Sequence, residues 1–472
     1  MRFTIPALFG FLLLSTGLST AAESAIQPRP LPITRPEVKQ LLEEMKSRTP
    51  RIPLPELTDA DREALGERST SYESRLRYHY IPGGNAPGAG RTGGGGGTFG
   101  FSREPDPKMT LDYAFKVELF WIVSRTNNCQ YCLGHQESKL LGAGRKEDQI
   151  AALDGDWHEF KPSEQAAFGF ARKLTYEPHR ITDADIEKLR PHFTDLQILE
   201  MVLSVSGNNA INRWKEGAGI PQSENGGGFG NRRPTDGALI AESPAKAAQT
   251  YLTPTAEKNQ KLISKVAPLW VDPKTGEATR LTTFTRAPLE SRAEAEQALA
   301  ACAKRTARLP LVDEAAAREL LADDSPQGPL PQWVRLLANF PRDGKSRILS
   351  QRTAETTGDL TPLLKAQISW IIARQDRAWY AAGLAKQRLK ALGQSDDQVF
   401  ALDGNWSAFT PAERAQFRLA SRLSATPVVL TDAEVAEAVK LAGPRDVTQL
   451  ISYVTTCASF DRITEAAGLR LE

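Results

Sequence analysis

The sequence predicts an all-α protein made of two related helical domains in tandem. Three observations carry that expectation. Apolar residues recur at three- and four-residue steps through much of the chain, as on the buried face of a helix. Alternating apolar and polar runs of the kind that strands need are nearly absent. When the chain is slid against itself, two long stretches meet without a gap for about a hundred residues.

At 472 residues the chain exceeds one ordinary core, so two or three domains are expected. The 59 Lys and Arg nearly balance 57 Asp and Glu, and no segment concentrates the bases. That gives no electrostatic case for a nucleic-acid partner. Beyond the N-terminus no run is apolar for long enough to span a bilayer.

Taken in order, residues 1–22 read as a secretory signal peptide. Arg2 gives a positive start, a short apolar run fills 5–14, and Thr20 and Ala22 have the alternate spacing of a peptidase site. An uncleaved anchor is the other reading, and so short a run suits it poorly. The protein is thus expected to be exported, periplasmic or extracellular, where disulfides persist. Residues 23–107 form an arm rich in proline and glycine. It holds a short helix over 37–46 and another starting at Thr58. Its five consecutive glycines are followed by no Gly-Lys-Ser/Thr, so they read as a flexible loop and not as a phosphate cradle.

The first helical domain is expected over 108–221. Tyr113, Val117, Phe120, Trp121 and Ser124 mark one helix face, and Asn127 and Asn128 break it. A second helix runs over 129–141, stopped by Gly142 and Gly144. Further helices fall at 162–174, 183–189 and 195–205. Residues 222–329 are a linker and connector with helical pieces at 291–308 and 313–321, to which no chemistry is assigned. The second domain covers 330–472.

The repeat has a constant offset: Trp121 meets Trp370, 249 residues on, and Arg125 meets Arg374, Tyr131 Tyr380, Gly144 Gly393, Trp157 Trp406 and Phe168 Phe417. The differences are as informative. Opposite Glu118, Cys129, Cys132 and His135 stand Gln367, Ala378, Ala381 and Leu384. Reactive and charged groups are replaced together, while the apolar and glycine framework remains. The four are therefore read as one unit, and the second copy as an inert scaffold.

Four cysteines are too few to staple a chain of this size, so the close pair Cys129 and Cys132 needs its own explanation. A CxxC at a helix start puts both sulfurs within disulfide reach, about 60° apart on one face. The helix N-terminus and a protonated histidine would favour a thiolate, the nucleophile towards a peroxide oxygen or a disulfide. Glu118, on the preceding helix, would accept a proton from His135 or orient it.

Glu118, ten intervening residues, Cys129-Gln130-Tyr131-Cys132 and His135 together resemble the alkylhydroperoxidase D-like and carboxymuconolactone decarboxylase superfamily. The resemblance covers residues 108–220, with a degenerate echo over 330–470. It implies two alkylhydroperoxidase D-like helical domains in tandem and homo-oligomers built from such units. It also implies thiol-dependent reduction of a small hydroperoxide or disulfide, with an external thiol as reductant and no cofactor or metal. Cys132 would attack, Cys129 would resolve, and Glu118 and His135 would relay protons. The family's histidine usually lies four residues after the second cysteine. His135 lies three after Cys132, which turns it about 60° beyond that sulfur.

Other readings stay open. Zinc would take Cys129, Cys132, His135 and Glu118 or His158, without the usual second CxxC or histidine pair. A structural disulfide in a non-enzymatic exported scaffold would close a very short loop and add little stability. Decarboxylase chemistry is less favoured, because the CxxC marks the redox branch. Leu133, directly after the second cysteine, excludes a c-type haem site. Trp121, Trp157, Trp370 and Trp406 read as packing residues. His79, His158, His179 and His192 read as surface or satisfied histidines, with His158 nearest the site. Cys302 and Cys457 read as buried single thiols.

Overall fold

A computed structural model describes residues 27–83, 106–222, 251–280 and 288–472. The signal-peptide expectation, most of the glycine-rich loop and most of the linker after 222 lie outside these. Among the described residues 62% are helical and 2% are in strands, so the chain is all-α.

The arm contributes α1 (Arg35–Glu44), α2 (Asp59–Leu65) and α3 (Tyr72–Tyr80). Thr58 caps α2 by accepting from the Asp61 N–H, as its position ahead of an acidic first turn predicts. The first repeat follows as α4 (Tyr113–Asn127), α5 (Gln130–Gly142), α6 (Glu147–Ala152), α7 (Pro162–Tyr176), α8 (Asp183–Glu187) and α9 (Asp195–Ala218). The connector holds α10 (Glu257–Gln260) and a small antiparallel hairpin, β1 (Leu269–Val271) with β2 (Ala278–Arg280), in which Trp270 faces Thr279. Then come α11 (Arg292–Cys302), α12 (Glu314–Leu321), α13 (Gln332–Leu337) and α14 (Asp343–Thr356). The second repeat is α15 (Pro362–Asp376), α16 (Trp379–Ala391), α17 (Asp396–Ala401), α18 (Pro411–Ser424), α19 (Asp432–Ala442) and α20 (Pro444–Ala466).

Helices α4, α5 and α6 and their counterparts α15, α16 and α17 begin and end at the same offset. Their backbone irregularities repeat too. Asn128 and Arg377 are both left-handed, at φ 59° and 53°, and so are Trp157 and Trp406, at 65° and 59°. A bulky residue with positive φ is costly and needs compensation. Each indole N–H donates to a carbonyl four residues earlier, Leu153 or Leu402, at 2.7 Å. Each ring also packs edge-on against Phe168 or Phe417. Trp121 and Trp370 are fully buried, as packing residues should be.

Helix α9 runs well past residue 205. The run Ser206 to Arg213 breaks the apolar period, so the sequence pattern ends there. The helix continues because most of these polar groups are buried and hydrogen-bonded, although Ser206 Oγ and Asn208 Nδ2 have no partner among the described residues. Asn209 Nδ2 donates to Thr175 Oγ1 at 3.1 Å, Asn212 Nδ2 to Ser124 Oγ at 3.1 Å, and Arg213 Nη2 to Ser424 O at 2.9 Å.

That last bond crosses between the repeats and has a mirror. Arg462, the counterpart of Arg213, donates to Thr175 O at 2.9 Å, and Thr175 is the counterpart of Ser424. The long helices α9 and α20 meet between the two copies. Gly217 makes the approach possible, since a Cβ there would stand 2.7 Å from Ile451 Cγ2. Reciprocal contacts of this kind are the mark of a two-fold interface, here built within one chain.

The arm also has a twin, at a different offset. Residues 34–54 match 291–311: Arg35 meets Arg292, Glu37 Glu294, Leu42 Leu299, Arg48 Arg305, Arg51 Arg308 and Pro53 Pro310. Helices α1 and α11 are the two versions, each opened by a capping box, Thr34 with Glu37 and Ser291 with Glu294. Each twin grips its own long helix: Arg48 pairs with Glu216 at 3.1 Å and Arg305 with Glu465 at 2.9 Å. Each also reaches the other copy, Arg51 to Asp432 and Arg308 to Asp183. Part of the stretch read as connector is thus a second arm.

Candidate active site

The site forms where α4 turns into α5. Asn128 takes the left-handed conformation that ends α4, a position an asparagine tolerates better than most residues. Its side chain donates to Pro30 O at 3.2 Å, and that of Gln130 to the same carbonyl at 3.4 Å. The arm therefore lies across the start of α5. The Cys129 N–H donates to Ser124 O at 2.9 Å, which fixes Cys129 as the N-cap of α5.

Both site cysteines are unbridged thiols and almost wholly buried. Cys129 and Cys132 interact electrostatically, and the carboxylate of Glu216 also lies near Cys129. Burial, the neighbouring Cys132 and Glu216 all push the Cys129 thiol well above the usual range. Cys302 and Cys457 are buried single thiols elsewhere in the fold.

A second set of groups closes on Cys132 from outside the motif. Lys215, on α9, is fully buried, and its ammonium lies 4.4 Å over the Tyr131 ring. It donates to the Tyr131 hydroxyl at 3.3 Å. It is ion-paired with Glu73, which α3 of the arm carries in. Glu73 also accepts from Trp214 Nε1 at 2.7 Å and pairs with Arg77 at 3.0 Å. Burial would raise the Glu73 carboxyl, but Lys215 and Arg77 hold it down at about 2. Burial would discharge Lys215, yet Glu73 and Tyr131 keep its pKa above the usual lysine value. The ammonium also interacts with Cys132.

His135 lies on the same helix, its ring 4.5 Å from that of Tyr131. Burial, then Lys215 and Lys139, lower it to about 3, so it stands neutral. Its Nε2 has no hydrogen-bond partner among the described residues. The cation beside the dithiol is therefore Lys215 and not a histidinium. Glu118 is buried on α4, and its carboxylate pairs with Arg145 at 2.7 Å, just past the end of α5 opposite the cysteines. Burial raises its pKa, against the pull of Arg145. Its hydrogen bond goes to Arg145 and not to His135. His158 is exposed in the turn before α7, beside Asp156, away from the thiols. Among the described residues no three His, Cys, Asp or Glu side chains are grouped to hold a metal ion.

Sequence reasoning brought Cys129, Cys132 and His135 together and missed Lys215, Glu73 and Glu216. One signal was within reach. Opposite Lys215 in the second repeat stands Thr464, so this cation disappears together with the cysteines. Glu216 persists as Glu465 and Tyr131 as Tyr380, which marks them as framework as well as lining. Compared with family models and with curated proteins, the chain matches none.

Proposed function

We propose that Cys129 and Cys132 form a redox-active dithiol that reduces a small hydroperoxide or disulfide at the expense of an external thiol. One observation carries this reading. Two copies of the same helical framework share their boundaries and backbone irregularities, and the copy with Ala378 and Ala381 holds the same turn without sulfur. Packing does not call for these thiols, which leaves chemistry as their reason. The resemblance to alkylhydroperoxidase D-like proteins supports the same reading from the motif. In it Cys132 attacks, and Cys129, whose thiol is pushed well above the usual range by burial and its neighbours, resolves. Glu118 and His135 would contribute the relay that the resemblance implies only after Glu118 leaves Arg145.

The test is thiol counting by intact mass on reduced protein given one equivalent of an organic hydroperoxide. Rapid loss of two hydrogens is expected in the wild type, with a trapped sulfenic acid in Cys129→Ser and none in Cys132→Ser. Thiols that stay unchanged towards both a hydroperoxide and a small disulfide would refute the reading.

A further inference from the structure

The dithiol needs a group that holds Cys132 as a thiolate inside a buried site, and neither motif partner supplies it. His135 is neutral, and Glu118 is an acid paired elsewhere. The groups facing Cys132 can be named element by element. From its own turn come Cys129, Tyr131 and His135. From α9 come Lys215 and, beside Cys129, Glu216. From α3 come Glu73 and Arg77, both tied to one another. Behind Glu216 stand Arg48 and Arg29, at 3.1 and 3.4 Å from its carboxylate. All four of these cations are paired with carboxylates, Arg29 and Arg48 with Glu216, and Arg77 and Lys215 with Glu73. Lys215 alone both touches Tyr131 and interacts with Cys132.

We propose that Lys215, fixed by Glu73, is the positioning residue that keeps Cys132 as a thiolate for attack. The proposal rests on the dithiol reading above. Geometry supports it: a fully buried ammonium, clamped by a carboxylate from the arm, sits over the ring next to Cys132 in the sequence. So does the comparison of copies, since Thr464 replaces Lys215 where Ala381 replaces Cys132. A buried charge is retained only where it is paired, and Glu73 supplies the pairing.

The chemistry balances. Cys132 gives up its proton, and its sulfur lone pair forms a bond to the terminal oxygen of the hydroperoxide. The O–O bond breaks, and the departing alkoxide takes up a proton to leave as an alcohol. Cys132 is then a sulfenic acid. The Cys129 thiol condenses with it, releasing water and forming the disulfide. Two electrons have passed from the two thiols to the peroxide. An external dithiol reduces the disulfide and is itself oxidised.

The test is a pH titration of thiolate ultraviolet absorbance on the reduced full chain, with Cys132→Ser assigning the Cys132 transition. Lys215→Met and Lys215→Thr should lower the thiolate fraction of Cys132 at a given pH by about tenfold, equivalent to one pKa unit. Lys215→Arg should restore most of it. Tyr131→Phe, which keeps the charge and removes only a hydroxyl, should stay within about threefold of wild type. A natively folded Lys215→Met with the wild-type titration would overturn the assignment. If the uncharged variants do not fold, Tyr131→Phe decides: a tenfold loss there would place the effect in the hydroxyl and overturn it too. Wild-type thiols that titrate as stated yet ignore peroxide and disulfide would refute the redox reading alone. Unchanged titration in Lys215→Met with intact peroxide consumption would refute only the role of Lys215.

Discussion

At the start of α5 two thiols sit beside Lys215 and His135. At the matching start of α16 stand Ala378 and Ala381, with Thr464 and Leu384 around them. Around both turns the supports are alike. Arg125 pairs with Asp154 at 3.0 Å and Arg374 with Asp403 at 3.0 Å, each buried at the same corner. The difference separates two kinds of residue. Aromatic and glycine positions, and the arginine–aspartate pairs, hold the shape in both copies. The two thiols of the CxxC, Lys215 and His135 stand in the first copy alone. The arms differ in the same way. Arg35 is 2% exposed and pairs with Glu137 and Glu147, whereas its twin Arg292 is 45% exposed and pairs with Glu296 and Asp397.

The largest expected effect breaks that symmetry at the arms. Arg35→Ala leaves Glu137 on α5 buried without its cation, while Glu147 on α6 keeps Lys39, and should cost about 3–5 kcal/mol in denaturant unfolding, as for a buried pair that loses one partner. Arg292→Ala should cost at most about 1 kcal/mol, since its partners are exposed. Equal losses would mean that the arms dock alike and that the comparison is wrong.

Next come two replacements of a residue by its counterpart. In the unfolded chain His135 takes up a proton below about pH 6.5, but the folded site does so only near 3. Between these the unfolded state binds more protons, so this residue makes stability fall on acidification, at up to about 1.4 kcal/mol per pH unit. His135→Leu, the residue of the second copy, should flatten that slope in unfolding measured across the window. Asp461, where the first copy has Asn212, runs the other way. Burial and Asp376 raise its pKa well above the usual value. The folded chain then keeps a proton that the unfolded chain releases above about pH 4, so this residue costs stability as pH rises. Asp461→Asn should remove that cost and raise the melting temperature at neutral pH. A lowered one would show that Arg462 and Arg213, the cations that act against this rise, hold the acid after all.

How much of this was legible follows from where the periodicity is clean. Helices α4, α5 and α7 were readable because their apolar faces are uninterrupted and Asn128, Gly144 and Pro162 punctuate them, whereas the six-residue α6 was missed because it is too short to show a period. The dithiol was readable because two cysteines and a histidine lie within one turn or two. The second half of α9 was not, because buried amides and Arg213 stand where a helix facing water would also put polar groups. Its partners lie far off in sequence, Ser124 and Thr175 on other helices of the same repeat and Ser424 on the second repeat, which no local pattern reveals. Lys215 and Glu73 were hidden for the same reason: they are distant in sequence and meet only through the folded arm. The second arm was missed because its offset, Arg48 to Arg305, differs from that of Trp121 to Trp370, so a single slide along the chain passes it by.

The smallest expected change in stability accompanies the largest expected change in chemistry. Cys129→Ala with Cys132→Ala gives the first copy the residues that the second already carries. The most direct measurement is therefore hydroperoxide and disulfide consumption by this double variant, with its unfolding free energy measured alongside. The account predicts a stability within about 1 kcal/mol of wild type, as for small buried substitutions, together with complete loss of consumption. A variant that unfolds, or one that consumes substrate at the wild-type rate, would contradict it.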